Sequence, residues 1–272
     1  MPRDREDAGA ERRGDRLTGV RAALLDLDGV LYVEDRPIPG GRDAVAALRD
    51  AGLTLRFVTN TTALPRRRIL ERLARLGFAV APDELATPAA LAVRHCLDVG
   101  HTRVALVMND EVKEDFAELE EVGERAGAVI VGDLGSALGY DVLNRAFRLV
   151  MDGAALVALQ RNRYWLTPEG LSLDVGPFVA ALEYATAREA HVVGKPAAAF
   201  FETILQTAGA SAAEAVMVGD DIESDVAGAQ RAGLAGILVR TGKYREDAVR
   251  ASSVDPDATV DSVADVPALL GL

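Results

Sequence analysis

The residues best placed to do chemistry are aspartates that directly follow apolar runs. Ala22-Ala23-Leu24-Leu25 leads into Asp26-Leu27-Asp28-Gly29, and Ala215-Val216-Met217-Val218 leads into Gly219-Asp220-Asp221, with Asp225 just beyond. Two other apolar runs end in polar groups: Leu53–Val58 in Thr59-Asn60, and Ala190–Val193 in Gly194-Lys195-Pro196. Lysine occurs only at Lys113, Lys195 and Lys243, so a lysine in such a place stands out. Taken singly, each feature has an ordinary explanation. An Asp after a strand is most often a helix cap or turn former, and Thr-Asn or Lys-Pro is most often loop. The pair Asp26 and Asp28 is harder to dismiss. Aspartate is depleted from strands, alternate strand residues share a face, and two like charges there repel unless a cation or proton separates them.

One assembly accounts for all four ends. Carboxylate oxygens are the ligands magnesium prefers, and Asp26 and Asp220 can supply them. Magnesium and Lys195 would offset the repulsion between an anionic nucleophile and an anionic phosphoryl group. Thr59 and the amide of Asn60 can donate hydrogen bonds to phosphoryl oxygens. Asp28, two residues from the nucleophile, can protonate a leaving oxygen and then activate water. Asp26 is the candidate nucleophile, since carboxylates can carry a covalent phosphoryl group.

Positioning these groups requires a particular architecture. Short apolar runs alternate with amphipathic helical patterns, which predicts an α/β fold on a mainly parallel sheet. The early strands are expected at Ala22–Leu25, Leu53–Val58 and Glu84–Thr87, with helices at Gly41–Ala51 and from Pro65 to Gly77. The same rhythm returns with strands at Ala190–Val193, Ala215–Val218 and Gly236–Val239. Helices are expected there at Ala197–Ala208, Ile222–Ala232 and Val266–Leu270. In such sheets ligands bind beyond the carboxyl ends of the strands, where the polar groups above fall. Between the halves, strands are expected at Val104–Met108, Ala128–Val131 and Ala155–Leu159, and helices at Val142–Met151 and Phe178–Thr186. That is enough for a small domain. The expected organisation is a core of residues 17–87 and 190–272, an inserted α/β domain of 88–189, and a disordered tail over 1–16.

Composition narrows the class. The formal charge of −12 argues against a nucleic-acid partner. No apolar run reaches the ~18–20 residues of a membrane helix, and the charged Met1–Arg16 stretch is no secretory signal. One cysteine, Cys96, excludes an intrachain disulfide; it lies in an apolar helical pattern and is expected in the core. A cytoplasmic protein without a membrane partner is expected. His95, His101 and His191 lack metal-ligand spacing and read as surface or packing residues. Gly132–Gly139 lacks the P-loop signature, and the acidic run Glu111–Glu124 reads as a solvated helix face. Tyr164-Trp165 fits the inserted domain's core or a face toward substrate equally well.

The set Asp26-x-Asp28-Gly29, Thr59-Asn60, Lys195 and Gly219-Asp220-Asp221 with Asp225 resembles the four motifs of the haloacid dehalogenase (HAD) superfamily. The long insertion resembles the class with a C2-type cap (class IIA). Phe57–Thr62, Gly176-Pro177-Phe178, Ala181–Thr186, Val193–Pro196 and Thr241–Arg245 are similar to the subgroup that contains phospholysine phosphohistidine inorganic pyrophosphate phosphatase and its hydrolase-like relatives. The resemblance implies a Rossmann-like HAD core with an α/β cap and a magnesium-dependent phosphatase working through an aspartyl-phosphate. It implies Asp26 as nucleophile and metal ligand, and Asp28 as general acid/base and as ligand through its main-chain carbonyl. Asp220 would be the third ligand, Asp221 and Asp225 supporting carboxylates, and Thr59, Asn60 and Lys195 the phosphate-binding groups. A small phosphorylated metabolite is the expected substrate, and a homodimer formed through the cap is implied.

Two alternatives share the chemistry. One is a phosphoryl-transfer enzyme of the same fold. The other is a receiver-like phosphoacceptor, disfavoured because the acidic pair lies on the first strand and a cap-sized insertion follows. Every candidate catalytic residue lies outside residues 88–189. The cap is therefore expected to choose the substrate, with Arg163, Tyr164 and Trp165 the first candidates for contacting it.

Overall fold

The computed structural model describes residues 16–167 and 170–272, without the side chains of residues 165–167. The expected tail of residues 1–15 and the side chain of Trp165 lie outside the described residues. Arg16, assigned to the tail by its sequence, is described: it forms a 3.0 Å ion pair with Asp257. The chain divides into two compact units. One comprises the described residues through Thr59, Leu70–Ala86 and Lys195–Leu272; the other comprises Asn60–Ile69 and Thr87–Gly194.

The first unit is built on a six-stranded parallel sheet. Its strand order is Ala258–Val260, Ala235–Val239, Ala215–Gly219, Ala22–Asp26, Thr54–Val58 and Leu85–Ala86. The first strand of the chain is thus central, and successive connections leave it toward opposite edges. This order reversal is where α/β sheets open a crevice at their carboxyl ends. Ala22–Asp26, Ala215–Gly219 and Ala235–Val239 are buried throughout, as expected for parallel strands covered on both faces. Leu24, Leu25, Leu48, Phe57, Leu73, Phe200 and Phe201 are among its fully buried side chains. Each such residue contributes about 1.5–3 kcal/mol of burial. The helices Gly41–Asp50, Arg66–Arg75 and Ala198–Ala208 lie within two residues of the expected spans. Gly209, at φ 64°, ends the last of these in the left-handed conformation that glycine takes without strain. Ile222–Ala232 is not one regular helix: a π-helical turn at Ile222–Ala227 precedes a short α-helix at Gly228–Arg231.

The second unit has its own parallel sheet, ordered His191–Val192, Ala155–Ala158, Ala128–Val131, Arg103–Val107 and Glu120–Glu121. Alternate residues feed two cores. Ala128 and Ile130 pack with Val93, Cys96 and Phe116, whereas Val129 and Val131 pack with Leu149, Val179 and Leu182. Cys96 is fully buried, and burial pushes its thiol up to about 11. A separate hairpin pairs Tyr164–Thr167 with Gly170–Leu173. The acidic run is a 3₁₀ segment at Asp110–Phe116 rather than a solvated α-helix face. Its carboxylates Glu111 and Glu114 pair with Arg68 and Arg67, and Asp115 accepts from the Arg66 amide. His95 and His191 stack at 3.7 Å between ring centroids, which accords with a packing role.

One strand belongs elsewhere than its sequence position suggests. His191–Val192 pairs with Ala155–Ala158 in the second unit's sheet, not with the strands that carry the aspartates. Parallel strands in both sheets have the same apolar pattern, so pattern alone does not say which sheet a two-residue strand joins. The first unit resumes only at Lys195, and residues 60–69 and 190–194 group with the second unit.

Candidate active site

Strand register brings the site together. Asp26 lies opposite Val58 on one neighbouring strand, and Leu25 lies opposite Val218 on the other. One residue past Val58 is Thr59, and two past Val218 is Asp220. Parallel strands therefore deliver Asp26, Thr59 and Asp220 to the same edge. Thr59 is 2% exposed, and its amide donates to Ala86 O at 3.4 Å.

Lys195 arrives from the loop after Gly194. It is 2% exposed, and its Nζ lies 2.7 Å from both Asp26 Oδ1 and Asp225 Oδ1. Burial opposes its charge, but the Asp225 and Asp26 carboxylates outweigh burial and raise its pKa. Asp225 is held at both oxygens, since its Oδ2 accepts from the Asp221 amide at 3.1 Å. Burial pushes Asp225 up to about 6, against the opposing pull of Lys195. Asp221 is turned to a different task. Its Oδ1 accepts from the amides of Glu223 and Ser224 and caps the π-helical turn that carries Asp225.

Asp220 is the group left in need. It is 2% exposed, its Oδ2 accepts from the Lys243 amide at 2.6 Å, and its Oδ1 is buried without a hydrogen-bond partner. Burial, then the nearby Asp26 and Asp225, push its pKa up to about 8. Asp26, Asp220 and Asp225 each place a carboxylate oxygen within 4.8 Å of the others. One buried lysine among three buried carboxylates leaves an excess of negative charge, which a divalent cation would neutralise. With Asp225 committed to Lys195 and the Asp221 amide, the oxygens that suit such a cation belong to Asp26 and Asp220.

Asp28 differs from its sequence-based description. The strand ends at Asp26, so the shared-face argument for alternate strand residues does not reach Asp28. It sits in the following turn, partly exposed, with its Oδ2 3.4 Å from the Tyr32 hydroxyl. Asn60 groups with the second unit, where its Oδ1 would be 2.8 Å from a Cβ placed on Gly194.

Three contributors to the site escaped sequence reasoning: Gly29, Gly242 and the Lys243 amide. A Cβ on Gly29 would lie 1.8 Å from Asp220 Oδ2, and one on Gly242 would lie 2.0 Å from the same atom. Both glycines have positive φ, at 87° and 62°. Their two loops close on the carboxylate, and Thr241 Oγ1 donates to Gly29 O to join them. The signal available was the Gly after Asp28 and the Thr241-Gly242-Lys243 run, but neither indicates a contact with Asp220.

Family models match two stretches, one described as haloacid dehalogenase-like hydrolase over residues 23–123 and one as HAD-hydrolase-like over residues 192–266. Human haloacid dehalogenase-like hydrolase domain-containing protein 2 is 42% identical over 243 residues, covering 89% of this chain and 93% of that protein. The chain belongs to the haloacid dehalogenase-like hydrolases. Human phospholysine phosphohistidine inorganic pyrophosphate phosphatase is 39% identical, covering 94% of this chain and 96% of that protein. Among solved structures, a p-nitrophenyl phosphatase from Archaeoglobus fulgidus superposes with a TM-score of 0.86 at 27% identity, covering 92% of this chain and 98% of that one. A glycerol phosphate phosphatase from Mycobacterium tuberculosis, in complex with magnesium, gives 0.79 at 28% identity, with 92% and 77% covered. The likeness to phosphatases spans nearly the whole of this HAD-family chain, and it is an enzyme of the phosphatase type. Among the described residues no helix is long and apolar enough to cross a membrane.

Proposed function

We propose that this enzyme is a magnesium-dependent phosphatase that hydrolyses a small phosphorylated substrate through an aspartyl-phosphate on Asp26. The observation that carries the reading is the buried carboxylate cluster at the central strand ends, with Lys195 on Asp26 and an unpartnered oxygen on Asp220. Asp26 and Asp220 would hold magnesium, with the main-chain carbonyl of Asp28 as a further ligand by family resemblance. The ion supplies charge neutralisation between nucleophile and phosphoryl group. Asp26 forms a bond to phosphorus as the bond from phosphorus to the leaving oxygen breaks, and Asp28 gives its proton to that oxygen. In the second half Asp28 takes a proton from water as the water oxygen bonds to phosphorus and Asp26 leaves. Lys195 holds the nucleophile and a phosphoryl oxygen, and Thr59 and Asn60 donate to the others. Asp225 anchors Lys195, and Asp221 shapes the turn that carries Asp225.

The substrate class comprises phosphate monoesters, pyrophosphate and phosphoamino acids, consistent with the names of the relatives above. The inserted cap selects among them. The enzyme would act in the cytoplasm as a homodimer, a state that light scattering tests directly. The deciding experiment compares wild type with Asp26→Asn on p-nitrophenyl phosphate, with magnesium and after EDTA. Phosphate release should need both the metal and Asp26, and acid-quenched wild type should carry phosphate on Asp26. A folded Asp26→Asn protein keeping more than a few per cent of activity would refute the assignment.

A further inference from the structure

We infer that Tyr32 is a positioning residue that decides which oxygen of Asp28 carries the catalytic proton. The inference rests on the reading of Asp28 as general acid and base. Tyr32 is 2% exposed, so its ring is part of the core, yet its hydroxyl lies 3.4 Å from Asp28 Oδ2. That separation is long for a hydroxyl–carboxylate contact, but catalytic hydrogen bonds commonly tighten only once substrate is bound.

The surrounding backbone fixes both partners. The Leu27 carbonyl accepts from the amides of Val30, Leu31 and Tyr32, and the Gly29 amide donates to Tyr32 O at 2.7 Å. Asp28 is therefore held in a turn that Tyr32 closes from both its main chain and its side chain. The ring itself is pinned. The Arg72 guanidinium stands 4.7 Å from the ring centroid, and it also donates to Glu34 O at 2.7 Å and pairs with Asp35 at 3.1 Å. Arg72 thus ties its helix to the short hairpin that pairs Tyr32–Val33 with Arg36–Pro37, and the phenol has little freedom to leave Asp28.

A phenol hydroxyl has one hydrogen, and a carboxylate can only accept it. With Oδ2 accepting from Tyr32, the acid form of Asp28 carries its proton on Oδ1. That proton passes to the departing oxygen as its bond to phosphorus breaks and the Asp26–phosphorus bond forms. Without the hydroxyl the proton has two equivalent sites and the carboxyl is free to rotate. Tyr32 touches neither metal nor phosphoryl group in this scheme. It acts through Asp28.

The test uses leaving groups that differ in their need for a proton. Values of kcat/KM are measured for phenyl phosphate and p-nitrophenyl phosphate in wild type, Asp28→Asn and Tyr32→Phe, with magnesium. Asp28→Asn should lose far more on phenyl phosphate than on p-nitrophenyl phosphate. Tyr32→Phe should show the same bias in weaker form, about tenfold, as a fraction of the general-acid effect. KM should be unchanged for both substrates. A purely structural role would slow both substrates equally, and that result overturns the inference. So does an unbiased Tyr32→Phe beside a biased Asp28→Asn. An unbiased Asp28→Asn removes the assignment of Asp28 itself, and the inference with it, by a separate route. Should Tyr32→Phe fail to fold, Arg72→Gln keeps the hydroxyl but frees the ring: a bias against phenyl phosphate supports the inference, and equal slowing overturns it.

Discussion

Magnesium should bind this protein in exchange for a proton. The perturbation is pH, applied to metal-free protein. Asp220 has its pKa pushed up to about 8 by burial and by Asp26 and Asp225. At pH 6.5 Asp220 is then mostly protonated. A metal ligand must be deprotonated, so binding releases close to one proton at that pH. Apparent affinity should rise about tenfold per pH unit up to about 8 and level off above it. Between pH 6 and 9 the gain is about 100-fold. Asp225, at about 6, steepens the dependence only at lower pH. Magnesium titrations by calorimetry, in two buffers of different ionisation heat at each pH, give both the affinity and the number of protons released. An affinity flat from pH 6 to 9, with no buffer dependence of the heat, would refute the reasoning. Asp220 would then be ionised before the metal arrives, and its unpartnered oxygen would need another explanation.

Other outcomes follow from the same cluster. Asp220 and Asp225 have folded pKa values above their unfolded ones, so their stabilising contribution is full below about pH 4 and is lost as pH rises toward 8; the Tm of metal-free protein should fall over that window, and saturating magnesium should remove the fall. Lys195→Met leaves Asp26 and Asp225 without their shared cation, which should cost about 3–5 kcal/mol in urea unfolding at pH 7 and less at pH 5, where Asp225 takes up a proton. Asp221→Ala removes a helix cap and should cost about 0.5–2 kcal/mol while leaving the rate of phosphoryl transfer within a few-fold of wild type, as read by urea unfolding beside p-nitrophenyl phosphate turnover.

The chemistry was legible where charge interrupts apolar patterning. Asp26 and Asp220 follow fully apolar runs and Thr59 a partly buried one, and all three runs are parallel strands of one sheet whose ends align. Lys195 was legible for the same reason, although the strand before it joins the other sheet. Main-chain and packing contributors were not legible. An amide such as that of Lys243 has no sequence signature, and Gly29 and Gly242 look like any turn glycine until the carboxylate between them is located. The commitment of Asp225 to Lys195 and the capping task of Asp221 were also hidden, because an Asp beyond a strand serves equally as ligand, cap or counter-ion. Ala258–Val260 passed unnoticed, being only three residues long at the sheet edge, with none of them fully buried.

The placement of His191–Val192 has a consequence for protein engineering. A chimaera that exchanges the inserted unit for that of a relative has an obvious seam near residue 189, where the helical pattern stops. A cut there would strand an orphan: His191 and Val192 would keep their place in the chain but lose Val157 and Ala158, the residues they pair with. The donor segment must instead run through Gly194, which leaves the graft junction at the peptide bond to Lys195. Exchange of the inserted unit is therefore tightly constrained at this seam, since the first recipient residue after the graft is the buried lysine that pairs with Asp26.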